Sequence, residues 1–193
     1  KNLKVFLNWC FDLGLYERFS LKPFPTLMEE VDNISLTEAE LVTLMKLDLE
    51  NDKERIARDL FIIGCETGLR WSDFSKITKD QIHDGKLTFL PQKTSNYRKT
   101  KIIIPVSKRF ADVLERNNDE IPSLGKVKVT YFNHIIREVC RKAKMTEEMK
   151  IQREVSGKTI TETRYRYQEV SSHTCRRTFC TLKFLKGMPA QAV

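Results

Sequence analysis

Ser171-Ser-His173-Thr-Cys-Arg176-Arg-Thr-Phe179 reads as the opening of a helix. The serines suit a cap, and Phe179, Leu182 and Leu185 are expected to anchor the helix in a core. The spacing predicts a helix over His173–Lys186 with Gly187 as its C-cap. His173 and Arg176 are three apart, so they share one helical face and both can meet one phosphate. That spacing is not specific by itself. His134-Ile-Ile-Arg137 repeats it on a second helix, predicted over Thr130–Lys144, where the charged side reads most simply as a solvated face.

Upstream of His173, residues 151–170 read as a hairpin turning at Ser156-Gly157. Thr67-Gly-Leu-Arg70-Trp-Ser-Asp73 reads as the end of a helix running from about Asp52 to Cys65, stopped near Gly68. An Arg directly after a helix end can aim its planar fork into a cleft and grip a phosphate bidentately. Trp71–Lys76 is predicted as a short helix. Lys86–Leu90 and Lys99–Val106 read as strands, with an Asp84-Gly85 turn before them and the basic turn Pro91–Arg98 between. Lys93 sits at that tip, where a mobile ammonium can protonate a leaving oxygen. Ser35-Leu-Thr-Glu-Ala-Glu40 contains two overlapping capping boxes, Ser35…Glu38 and Thr37…Glu40, ahead of a helix to about Lys46. Lys4–Tyr16 is predicted as a first helix stopped by Gly14, and Ser107–Arg116 as a further one. The expected fold is mostly α with a small antiparallel β-sheet of about three strands (α+β).

The 193 residues carry 34 Lys+Arg against 26 Asp+Glu, a net charge of +8. The charge is polarised. Residues 26–60 carry ten acids and four bases, whereas 86–109 carry seven bases and 173–186 four, with no acid in either. Such a face suits a polyanion such as nucleic acid. With 40% apolar residues the chain is not of disordered composition. No apolar run approaches a membrane span and no signal peptide opens the chain. The cysteine count, five, is odd and there is no C-x-x-C pair, so the thiols are read as reduced and buried in a cytoplasmic protein. His173, Cys175 and Cys180 match no common zinc spacing.

In order, Thr-Gly-Leu-Arg70 with Trp-Ser-Asp73, a hairpin Lys93-Thr94, a strand ending in Ile104-Pro105, and Ser-Ser-His173-Thr-Cys-Arg176-Arg-Thr-Phe resemble the catalytic domain of the tyrosine recombinase (phage integrase) family. The hairpin before His173 resembles integrases of bacterial mobile and conjugative elements. The resemblance covers residues 35–193. It implies that residues 1–20 are the last helix of an upstream core-binding domain and 21–34 a linker. It also implies a site-specific DNA recombinase that cleaves and rejoins double-stranded DNA through a 3′-phosphotyrosyl bond, acting with other protomers in a tetrameric synapse. Arg70 and Arg176 would clamp the scissile phosphate, His173 would bind it or manage a proton, Lys93 would be the general acid, and Asp73 a support. No cofactor and no metal is expected.

The sequence departs from the family in one place. The family's Gly-His pair and its tyrosine nucleophile follow the second Arg motif by some tens of residues, and Arg177–Val193 contains neither Tyr nor His. Tyr16, Tyr97, Tyr131, Tyr165 and Tyr167 all precede His173. Met188-Pro189 opens a further helix that stops at Val193, so a chain lacking its C-terminal end, inactive alone, is expected. Two competing readings stand: a DNA-binding regulator that kept the fold without the chemistry, and a type IB topoisomerase.

Overall fold

The computed structural model describes residues 2–17, 34–90, 101–155 and 158–189, which divide into two units. The first comprises residues 1–31 and 152–161, the second 32–151 and 162–193. In the first, α1 (Asn2–Asp12) ends sooner than its apolar pattern suggests, because Gly14 adopts φ +70° and turns the chain. Its Leu3, Val5, Phe6, Trp9 and Leu13 are exposed, and the Tyr16 hydroxyl donates to the Leu7 carbonyl.

The second unit is built around one buried helix. α2 (Glu38–Lys46) starts with the second of the two possible capping boxes: Thr37 Oγ1 accepts from the Glu40 N–H (3.2 Å) and Glu40 Oε2 from the Thr37 N–H (2.7 Å). Ser35 instead offers its carbonyl to Arg166 Nη2 (2.8 Å). α3 (Asp52–Thr67) is capped by Asn51, whose Oδ1 accepts from the Lys53 N–H (2.9 Å). From Ala57 to Thr67 every residue of α3 is buried, since α2, α5 (Lys108–Arg116), α6 (Val129–Lys142) and α7 (Ser172–Leu185) all pack on it. Each of the large side chains Leu60, Phe61, Ile62 and Ile63 removed from water contributes about 1.5–3 kcal/mol.

Polar groups inside this core are matched. The Asp59 carboxylate accepts from Arg58 Nε (2.9 Å), Arg116 Nη1 (3.2 Å) and Asn117 Nδ2 (2.9 Å), while Arg58 Nη1 donates to the Leu47 carbonyl (2.6 Å). A buried carboxylate without such partners would cost several kcal/mol. Across the unit, Arg166 grips Glu40 bidentately, Nε to Oε1 at 2.5 Å and Nη2 to Oε2 at 3.0 Å. Burial alone would raise the Glu40 pKa. The Arg166 fork, with the backbone and hydroxyl of Thr37, outweighs that and holds it below its ordinary value.

The sheet is antiparallel with order β1-β2-β3, formed by β1 (Ile82–His83), β2 (Lys86–Phe89) and β3 (Ile102–Pro105). The Asp84-Gly85 turn has φ of 49° and 67°, the left-handed pair a tight hairpin needs. Leu87 faces Ile104 across the strands, and both are buried. The basic turn expected at Pro91–Arg98, with Lys93, lies outside the described residues, as do the Ser156-Gly157 turn and residues 21–33 of the linker expected over 21–34. The hairpin is formed by β4 (Glu148–Val155) and β5 (Lys158–Tyr165), and the residues after it lead into α7.

α7 departs from expectation in the face it buries. Phe179 and Leu182 are half-buried and Leu185 is 74% exposed; the buried residues are Ser172, Thr174, Cys175 and Thr178. The reason is close approach to α3. A Cβ built on Gly64 would sit 2.9 Å from Cys175 Sγ and 3.1 Å from Phe74, so only small side chains fit the crossing. Two polar ties hold this face of α7, one to the segment before α2 and one to α3. Thr178 Oγ1 accepts from the Leu36 N–H (2.9 Å), and the Cys175 thiol reaches the Phe61 carbonyl (3.6 Å).

Candidate functional site

His173 is the second residue of α7 and Arg176 lies one turn on; both are exposed. With Arg177, Cys180 and Thr181 they line a surface concavity of about 360 Å³. No acidic residue occurs in 173–186, so the helix presents only positive charge and a titratable imidazole there. Lys183, on the same helix, lies 5.5 Å over the Phe179 ring.

Arg176 is directed by the backbone. Its Nη1 donates to the Gly68 carbonyl (3.1 Å), which leaves the rest of the guanidinium's donors for an anion. Gly68 ends α3 in the left-handed conformation at φ +65°, and its N–H closes onto the Gly64 carbonyl at 2.9 Å. A Cβ there would stand 2.5 Å from the Phe179 ring, so glycine is needed both for the turn and for the approach of α7. A second hollow of about 360 Å³ continues on this side. It is walled by Thr67, Gly68 and Leu69 from the α3 terminus, by β3, and by Arg176, Phe179 and Cys180.

Arg70 follows two residues after Gly68. Its carbonyl accepts from the N–H groups of Asp73 and Phe74 (both 2.8 Å) and starts α4 (Trp71–Phe74), while its side chain is exposed. Arg70 is on the lining of neither hollow, although Leu69 lines the second. α4 is held by aromatic packing, with Trp71 stacked on Phe132 at 4.3 Å between ring centroids. Asp73 is 2% exposed, and its Oδ1 accepts from the Ser72 hydroxyl (3.4 Å). Lys93 lies outside the described residues. The structure thus brings His173 and Arg176 together and ties Arg176 to the segment that carries Arg70.

The alternative metal cluster has the wrong geometry, since His173 is exposed and Cys175 is fully buried on another face of α7. All five cysteines are free. Burial, and then the neighbouring Cys175, push the Cys65 thiol well up; burial does the same for Cys140. None of the described tyrosines lines either hollow. Tyr165 and Tyr167 stack on each other, ring centroids 6.0 Å apart, and Tyr131 sits beside His134 in a separate depression.

Residues to which sequence reasoning assigned no role at the site support it. The Gly68 carbonyl is one. Asn133 and Arg137 on α6 are others: Asn133 Oδ1 accepts from the Ser172 N–H (2.8 Å) and Arg137 Nε donates to the Val170 carbonyl (3.1 Å). Their i, i+4 spacing beside an apolar stripe was visible, but nothing local named the loop they hold.

No family model matches the chain, and no curated protein matches it by sequence. Solved structures do. The XerA recombinase matches with TM-score 0.56 at 13% identity, over 93% of this chain and 59% of that one. The Tn1549 transposon integrase in complex with transposon right-end DNA matches with TM-score 0.53 at 16% identity, over 90% and 60%. The XerH site-specific recombinase bound to its difH substrate, a pre-cleavage complex, matches with TM-score 0.50 at 14% identity, over 79% and 43%. The chain therefore spans three-fifths or less of the length of these structures. It shares the fold of tyrosine recombinase catalytic domains, helical with small antiparallel sheets.

Proposed function

We propose that this chain is the catalytic part of a site-specific DNA recombinase that breaks and rejoins DNA by transesterification at a phosphodiester. The observation that carries the reading is the pairing of His173 and Arg176 in one basic concavity, with Arg176 bonded to Gly68 two residues before Arg70. In this reading Arg176 and Arg70 stabilise the charge that grows on the phosphoryl oxygens in the transition state. His173 contacts the same phosphate or moves a proton, Lys93 protonates the leaving 5′-oxygen, and Asp73 supports the α4 turn beside Arg70. The nucleophile is a tyrosine hydroxyl that residues 1–193 do not supply after His173. The phosphotyrosyl link conserves the bond energy, so the transfer uses no ATP. Residues 1–20 are assigned to the last helix of an upstream core-binding domain, residues 21–34 to the linker, and double-stranded DNA with further protomers to the working assembly. Solved neighbours bound to DNA support that partner.

The test combines binding and trapping. Residues 1–193 should bind duplex DNA with log K falling against log salt at roughly −0.9 per phosphate contacted. They should form no denaturant-resistant adduct on a nicked duplex. Supplying a tyrosine-bearing segment, in cis or from a neighbouring protomer, should restore the adduct. Salt-insensitive binding would remove the electrostatic basis of the reading. Failure of any tyrosine-bearing form to produce an adduct would favour a DNA-binding regulator.

A further inference from the structure

We infer that Asn133 and Arg137 are positioning residues: from α6 they hold the bend at Val170–Ser172 and thereby aim His173 into the concavity it shares with Arg176. The inference rests on the reading of that concavity as a phosphate site. The imidazole of His173 has no hydrogen-bond partner among the described residues, so no hydrogen bond from them orients the ring. Its direction is set by the backbone of the first turn of α7.

That backbone is held from outside the helix on both sides of the bend. The Val170 carbonyl accepts from Arg137 Nε at 3.1 Å, and the Ser172 N–H donates to Asn133 Oδ1 at 2.8 Å. Val170 and Ser172 are both buried, so each of these groups would lose water without gaining a partner if α6 let go. Within the bend the Ser171 N–H donates to Thr174 Oγ1 (3.0 Å), which closes the first turn on itself. Asn133 and Arg137 are one helical turn apart and grip donor and acceptor groups two residues apart in sequence. Both sides of the bend are thereby tied to one turn of α6. α6 is itself anchored by Phe132, Ile136 and Val139, all fully buried, so the grip is referenced to the core. A shift of about 1 Å at a reacting group can cost about 10²-fold in rate, which is the scale on which such an anchor matters.

The experiment reads the ring directly. The chain has three histidines, His83, His134 and His173, so imidazole NMR resonances are few enough to assign. Inorganic phosphate is the probe. In the unaltered chain the His173 resonances should respond to phosphate, and Arg176→Ala should weaken the response. If they do not respond, or if Arg176→Ala changes nothing, the phosphate-site reading falls and this inference with it.

Asn133→Ala should move the His173 phosphate midpoint up by about tenfold, the loss of about one hydrogen bond's worth of alignment, and speed exchange of the Ser172 amide. Val113→Ala serves as the stability control, since Val113 is fully buried on α5, outside the grip of α6 on the bend; it should lower Tm and leave the midpoint in place. Arg137→Gln is the independent second variant and should act in the same direction if Asn133→Ala does not fold. An unchanged midpoint in both α6 variants, or an equal shift in Val113→Ala, would show that α6 contributes stability alone.

Discussion

His134-Ile-Ile-Arg137 and His173-Thr-Cys-Arg176 share one spacing, and the fold gives them different work. On α7 the His and Arg both stay exposed and share a concavity. On α6 the Arg turns inward to the Val170 carbonyl and only His134 remains exposed. The expectation that the α6 pair is merely a solvated face holds for His134 and fails for Arg137. What separates the two pairs is the neighbour each helix meets. α6 runs beside the loop that starts α7, so its polar edge finds buried backbone groups there. α7 meets α3 through Gly64 and small residues, so its long cations are left on the outside.

The comparison is broken most decisively at the arginines. In a chain extended to supply the proposed tyrosine nucleophile, Arg176→Ala should slow covalent adduct formation by about 10²–10³-fold, the usual loss for one donor to a developing oxyanion. His134→Ala should leave the rate within about twofold on the same nicked duplex. Equal losses would mean that the two motifs cannot be told apart by their surroundings.

A smaller effect tests why α7 faces outward. Gly64→Ala places a methyl 2.9 Å from Cys175 Sγ. It should destabilise the second unit by about 1–3 kcal/mol, as overpacking does, read as a lower urea midpoint. A neutral result would show that the crossing has slack, and the small-residue account of α7 would fail.

The smallest effect concerns the charge pair that closes the unit. Glu40 titrates below its ordinary 4.5 in the folded chain. Its contribution is therefore present above that value and is lost as pH falls through the lower, folded one. Glu40→Gln should cost about 1 kcal/mol at neutral pH and flatten the acid limb of stability against pH. An unchanged acid limb would assign that limb to other carboxylates.

Much of the molecule was legible locally. The Thr37–Glu40 box, the Gly68 stop and the Asp84-Gly85 turn are formed by residues within four positions of one another, so the chain needs no tertiary partner to declare them. The apolar stripe of α6 was legible for the same reason. The start of α7 and the small antiparallel sheet also followed from local signals, whereas the order β1-β2-β3 came from the structure. Leu185 misled because an apolar residue at helical spacing says that a face exists, not that anything covers it.

Sequence alone therefore determined the main helices and the antiparallel strands to within a few residues, and that His173 and Arg176 share a face. It also determined that positive charge gathers on 86–109 and 173–186 and that no tyrosine follows His173. Only the tertiary structure decided that Arg176 leans on the Gly68 carbonyl, that Gly64 and Gly68 admit α7 so closely, and that Asn133 and Arg137 hold its first turn. Those contacts join residues tens to more than a hundred positions apart. Each depends on directional hydrogen bonds and close approach between surfaces whose register no local pattern encodes.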